Sequence, residues 1–134
     1  MIDIENEIFN IVSTKLRDNF PKIYVVGEYV KSPSSFPCVS IMETDNQIYR
    51  NTRDTGHIEN HVQVLYEANV CSNKTSGKKA ECKNIMACID SEMERMGFTR
   101  TLMSAIPNEL DATVYRLTAR YRAVVSKEKT IYRR

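Results

Sequence analysis

The segment from Ala112 to Val125 keeps period-two order along its whole length. Side chains on a strand point alternately to opposite faces. One face reads Thr113, Tyr115, Leu117, Ala119, Tyr121, Ala123 and Val125. The other reads Ala112, Val114, Arg116, Thr118, Arg120, Arg122 and Val124. The first face is mostly apolar, and the second carries three guanidinium groups. Strands usually run to about 5–6 residues, so one this long demands partners of equal length, in its own sheet or from a neighbouring subunit. Its basic face must then meet acidic cross-strand neighbours or an acidic partner.

The rest of the chain supplies such partners. Ile4, Ile8, Ile11, Val12 and Leu16 fall at helical spacing, which predicts an amphipathic helix from about Asp3 to Asn19. Asp3 is its expected N-cap and Pro21 its stop. Ile23–Val30 reads as a strand, Lys31–Pro37 as a Ser/Pro loop and Cys38–Glu43 as a short strand. The polar stretch Thr44–Gly56 is expected to form a hairpin arm or a mobile loop. His57–Val70 is a second long strand. Its face carrying Val62, Val64, Tyr66, Ala68 and Val70 is apolar, and His57, Glu59, His61, Gln63 and Glu67 lie opposite. A second helix spans Lys79–Met96 and ends at Gly97. Phe98–Ile106 is a strand, Pro107-Asn108-Glu109 a turn, and Lys127–Arg134 a charged tail holding Ile131 and Tyr132.

The predicted order is therefore α-β-β-β-α-β-β. Two amphipathic helices over a mainly antiparallel sheet make a two-layer α+β fold. The length of 134 residues suits one domain over residues 1–134. If the two long strands are neighbours, Glu59 and Glu67 oppose arginines across the ladder.

Charge is unevenly spread. Residues 1–70 hold six basic and ten acidic groups, a net of −4; residues 111–134 hold seven basic and two acidic groups, a net of +5. One end can attract the other, in the same molecule or in a neighbour. With 42% hydrophobic and 27% charged residues the composition is that of an ordinary globular protein. No apolar window is long enough to span a membrane, and the acidic start Met1-Ile2-Asp3-Ile4-Glu5 is unlike a secretory leader.

No catalytic, metal or cofactor constellation emerges. Cys38, Cys71, Cys82 and Cys88 lack the spacing of a zinc site and read as free thiols. His57 and His61 would lie about 13 Å apart on a strand, too far to share one ion. The glycines are isolated and build no phosphate loop. Two activities stay open as alternatives. One is nucleic-acid binding through the Arg116/Arg120/Arg122 face, weakened because Tyr115 and Tyr121 point to the other side. The other is a hydrolase using His57 or His61.

The overall pattern resembles the tail terminator, or tail-completion, proteins of tailed bacteriophages. The resemblance rests on element order, on length, on the helix closed by Met96-Gly97-Phe98, and on a last strand reading Arg120-Tyr121-Arg122-Ala123-Val124-Val125 before a basic tail. It implies a non-enzymatic structural protein of the virion neck, made in the host cytoplasm, with no cofactor. Such proteins form a hexameric ring that caps the tail tube, stops its polymerisation and meets the head-side connector. In contractile tails the ring also engages the sheath, and DNA passes its lumen without specific binding. A head-side stopper or adaptor is the nearest variant. On this reading the interface residues are Arg116, Arg120, Arg122, Glu59, His61 and Glu67. Ile48, Tyr49, Arg50 and Arg53 join them from the excursion, and Ile131, Tyr132, Arg133 and Arg134 from the tail.

Overall fold

A computed structural model describes residues 1–29, 33–48, 61–106, 113–129 and 131–132, with Tyr132 through its backbone alone. Helix α1 spans Glu5–Asn19 and α2 spans Lys78–Met96. The strands are β1 (Tyr24–Val26), β2 (Cys38–Ile48), β3 (His61–Ser72), β4 (Thr99–Ile106), β5 (Tyr115–Ser126) and β6 (Ile131–Tyr132). The architecture is the expected two-layer α+β fold, with β6 as a short addition.

The helices begin and end for local reasons. Ile4, not Asp3, holds the N-cap of α1, but Asp3 Oδ1 still accepts the Glu5 N–H at 3.1 Å. Ile8, Val12 and Leu16 are buried. Ile11, expected on the same face, is 40% exposed; it sits about 100° around the helix from Val12, on the flank of the apolar stripe. Helix α2 ends at Gly97, whose φ of 106° an L side chain would strain. The Gly97 N–H bonds the Glu94 carbonyl at 3.0 Å and the Phe98 N–H bonds that of Met93 at 2.9 Å. This is the paired-bond helix end known as the Schellman motif, with the usual apolar contact available from the buried pair Met93 and Phe98. Met-Gly-Phe is thus the signature of a helix stop that also turns the chain into β4.

The strand order is β1-β2-β3-β5-β4, with β6 also on β5. Only the β1–β2 pair is parallel among the described residues. The demand made by the long final strand is met by β3: all of His61–Ser72 pairs with Ser126–Tyr115. Val62, Val64, Tyr66 and Ala68 join Leu117, Ala119, Tyr121 and Ala123 under the helices in one core. There the Tyr66 and Phe98 rings meet edge to face at 5.3 Å, a contact worth about 0.5–1.5 kcal/mol beyond area burial.

Three expectations change. The first strand is only Tyr24–Val26, because the chain bends away from the sheet edge at Gly27–Glu28. The short strand expected at Cys38–Glu43 runs on to Ile48, opposite Val62, through a bulge between Glu43 and Asp45, so the excursion begins as the hairpin arm, one of its two expected forms. Tyr49, Arg50, Arg53, His57 and Glu59 lie outside the described residues, as do Arg133 and Arg134. The charged tail begins as part of the sheet. It turns at Lys127–Glu128, and β6 returns antiparallel to Val124 and Val125.

Candidate interaction surface

Both helices lie on one face of the sheet, so the other face is where chemistry can be presented. Cross-strand partners share a face, and the register therefore gives this face in rows. The first row holds Cys38, Cys71, Arg116 and Ile106. The second holds Ser40, Asn69, Thr118 and Ser104, and the third Met42, Glu67, Arg120 and Leu102.

The three arginines divide. Arg116 is 5% exposed, and its guanidinium carbon lies 5.0 Å from the centre of the Tyr29 ring, a cation–π contact. A small second core of Cys38, Cys71 and Val114, with Val26 and Phe36 against it, lies on this same side of the sheet. Arg116 was expected at a surface; its own subunit buries it. Burial pushes the Cys38 thiol up to about 11, with Cys71 adding and Arg116 opposing. Arg120 is exposed and donates from Nε to Glu67 Oε2 at 3.2 Å. That is the predicted cross-strand pair, with Glu67 directly opposite Arg120 in the ladder. Arg122 is half-buried between Leu65 and Thr99. His61 is half-buried at the end of β3, opposite Ser126.

Between Arg116 and the Glu67–Arg120 pair runs a buried polar row that residue type alone did not mark. Thr118 Oγ1 donates to Asn69 Oδ1 at 2.6 Å. Asn69 Nδ2 donates to Ser40 Oγ at 3.3 Å and to Glu67 Oε1 at 3.0 Å. Ser40, Asn69 and Thr118 are each at most 5% exposed. The row is hydrogen-bonded throughout, which burial requires. It ties three strands together and holds Glu67 in place for Arg120.

The acidic and basic ends of the chain meet within one molecule. Glu67 pairs with Arg120, and Glu7 of α1 accepts from Lys129 at 2.7 Å. The tail residue Ile131 packs against the main core. Ile48, at the far end of β2, is 45% exposed. Structure therefore brings Glu67, Arg120 and Arg122 together, and leaves Ile48 and Ile131 at separate places.

Midway along β2, Glu43 lies opposite Tyr66. Glu43 Oε1 and the Tyr66 hydroxyl are buried without a well-formed hydrogen bond among the described residues. Burial raises the Glu43 pKa above the usual carboxylate range; Asn46 and Tyr66 oppose this, and Asp3 and Glu5 add to it. The folded state thus holds this proton more tightly than the unfolded chain. Glu43 favours folding when protonated and penalises it as pH rises through the raised pKa. Glu43→Gln should raise the melting temperature by a few degrees at neutral pH, and the gain should vanish on acidification. Parallel melts of both proteins across that range check it; a gain that grew in acid would contradict the assignment.

Of the two histidines weighed for catalysis, His57 lies outside the described residues and His61 sits at the end of β3. No group of three or more His, Cys, Asp or Glu side chains is placed to hold a metal among the described residues. A cleft at the end of α2 is lined by Asp90, Glu94, Arg100 and Tyr121. Three of its polar groups are engaged with one another: the Tyr121 hydroxyl donates to Asp90 Oδ1 at 3.0 Å, and Arg100 lies 3.3 Å from the same oxygen. Burial and the Asp90 carboxylate push the Tyr121 phenol well up, so it stays a donor. No helix among the described residues is long and apolar enough to cross a membrane. No protein-family model matches the chain, and a search of curated proteins returns no match.

Proposed function

We propose that the chain is a structural assembly protein of a tailed-phage virion, a terminator whose ring caps the tail tube and presents a surface to the head-side connector. The observation that carries this reading is the sidedness of the sheet. The helices cover one face; on the other, the rows of Arg116 and of Ser40, Asn69 and Thr118 are buried, and Glu67, Arg120 and Arg122 form the accessible charged strip. Protein neighbours use such faces through many small complementary contacts. Support also comes from the segments behind the resemblance: Met96-Gly97-Phe98 is the helix stop before β4, and Arg120–Val125 lies within β5.

Of the three arginines, Arg120 and Arg122 are the ones that keep surface for neighbours, with Glu67 beside them. Nucleic-acid binding is the weaker alternative, because Arg116 is buried and the Glu67 carboxylate beside Arg120 breaks the positive field a phosphate backbone would need. A ring needs one patch to meet a different patch on the next subunit.

The test is assembly. The protein is mixed with polymerising tail-tube protein, and tube lengths are read by negative-stain electron microscopy. Short tubes of defined length with one capped end support the terminator. Tubes that grow unchecked and uncapped reject it. Tight, steeply salt-dependent DNA or RNA binding by the isolated chain would favour the alternative instead.

A further inference from the structure

The two edges of the sheet are treated differently by this chain. On the β2 side, β1 covers Cys38–Ser40. Further along, two backbone N–H groups of β2 are taken by carboxylates: that of Glu43 by Glu5 at 2.7 Å, and that of Asn46 by Asp45 at 2.9 Å. A bulge bends the same strand between Glu43 and Asp45. Bulges and charges are the usual means of closing an edge to unwanted pairing.

At the other edge, β4 has β5 as its sole strand neighbour among the described residues. Leu102, Met103 and Ile106 are 40%, 43% and 41% exposed. The strand has a bulge near its start, between Arg100 and Leu102, and regular register from Leu102 to Ile106. Its single charge, Arg100, is turned to Asp90 within the subunit at 3.3 Å. No lysine or proline interrupts it. A regular, apolar, nearly uncharged edge is a template for another strand.

We infer that β4 pairs antiparallel with β4 of a second copy of this chain, about a two-fold axis near Met103. Edge geometry and register select this occupant. Antiparallel self-pairing about Met103 sets Leu102 opposite the second copy's Ser104, with Ala105 and Ile106 meeting the partner strand where it bulges at Thr101. No like charges meet, because Arg100 falls towards the far end of the partner strand. The β2 edge of a second copy is the poorer match, being bulged and having the N–H groups of Glu43 and Asn46 already taken. With the axis perpendicular to the sheet, both helical layers fall on one side of a continuous double sheet. The contact is isologous, so one partner consumes it. It builds a dimer of the free protein and not a ring, and it stands or falls separately from the terminator reading.

Sedimentation equilibrium of the full chain over a wide concentration range tests this. The expected species is a dimer. Met103→Lys and, separately, Leu102→Lys place a charge in the shared seam and should weaken dimerisation by roughly tenfold or more. Both sites are surface-exposed, and circular dichroism melts confirm that each variant folds. Met103→Cys in a Cys88→Ser background should oxidise to a covalent dimer. A wild-type chain that stays monomeric at its highest soluble concentration overturns the proposal. So does a dimer unaffected by both lysine variants, or one that Met103→Cys fails to lock. A monomer that still caps tail tubes rejects the dimer and keeps the terminator; a β4-linked dimer without capping does the reverse.

Discussion

Asn69→Asp is expected to destabilise the fold by about 3–5 kcal/mol, the usual cost of a buried charge left without compensation. Asn69 is 3% exposed. Its Nδ2 group donates to Glu67 Oε1 at 3.0 Å and to Ser40 Oγ at 3.3 Å. Aspartate has the same shape but no donor. Thr118 would keep its acceptor and the Ser40 hydroxyl can rotate to donate, so two of the three bonds survive. The third becomes a carboxylate facing the Glu67 carboxylate, and that repulsion dominates. Against a typical domain stability of about 5–15 kcal/mol, the melting temperature should fall by roughly 10 °C or more. Burial and Glu67 both raise the pKa of the new acid above its unfolded value. The penalty is therefore fully present at neutral pH and eases as pH falls through that raised pKa. Adding Glu67→Gln should recover part of the loss, since the glutamine amide can donate to the new carboxylate; a double-mutant cycle by chemical denaturation measures the coupling. A single variant that melts with the wild type would show that the row does not hold the sheet together.

The regular parts of the fold were legible because periodicity reports burial. The apolar alternation in β3 and β5 follows from one covered face, and it pointed to their pairing and to the meeting of Glu67 with Arg120. The Met-Gly-Phe stop was readable because a left-handed residue after a helix favours glycine. Where a segment obeys two rules at once, the reading slipped. Polar composition leaves Thr44–Ile48 open between a hairpin arm and a loop, and places the end of the strand at Glu43; the arm forms through a bulge that no composition rule marks. Ile131 and Tyr132 looked like part of a free tail, but two apolar residues after a tight turn were enough to fold back on β5.

The candidate surface was less legible, for a different reason. Alternation tells which face a residue takes, not what lies over it. Arg116, Arg120 and Arg122 share a face as expected. The fate of Arg116 depends on Tyr29, which arrives from a loop 87 positions earlier in the chain. The polar row of Ser40, Asn69 and Thr118 is likewise invisible in any one strand, because each residue alone is an ordinary strand hydrophile. The exposed edge did leave a signal: Leu102 and Met103 are adjacent, and successive apolar residues on a strand cannot share one buried face.

Charge reversal should therefore split the arginines. Arg116→Glu is expected to cost about 3–5 kcal/mol, as reversal of a buried charge does. The substitution removes the Tyr29 contact and sets a carboxylate beside the buried thiols of Cys38 and Cys71. Arg122→Glu, at a half-buried site with Leu65 and Thr99 as ladder neighbours, should stay within about 0.5 kcal/mol of wild type. Arg120→Glu is intermediate, because it opposes Glu67 with a like charge at a cost of roughly 0.2–1 kcal/mol. Urea denaturation of the three single variants gives the ranking directly. The same ranking decides how an assembly experiment is read. A failure of Arg116→Glu to cap tubes reports unfolding, whereas failure of a well-folded Arg120→Glu/Arg122→Glu protein reports a lost contact with a neighbour. If Arg116→Glu instead melts with the wild type, the guanidinium is not built into the subunit, and it returns to the surface as a third candidate contact.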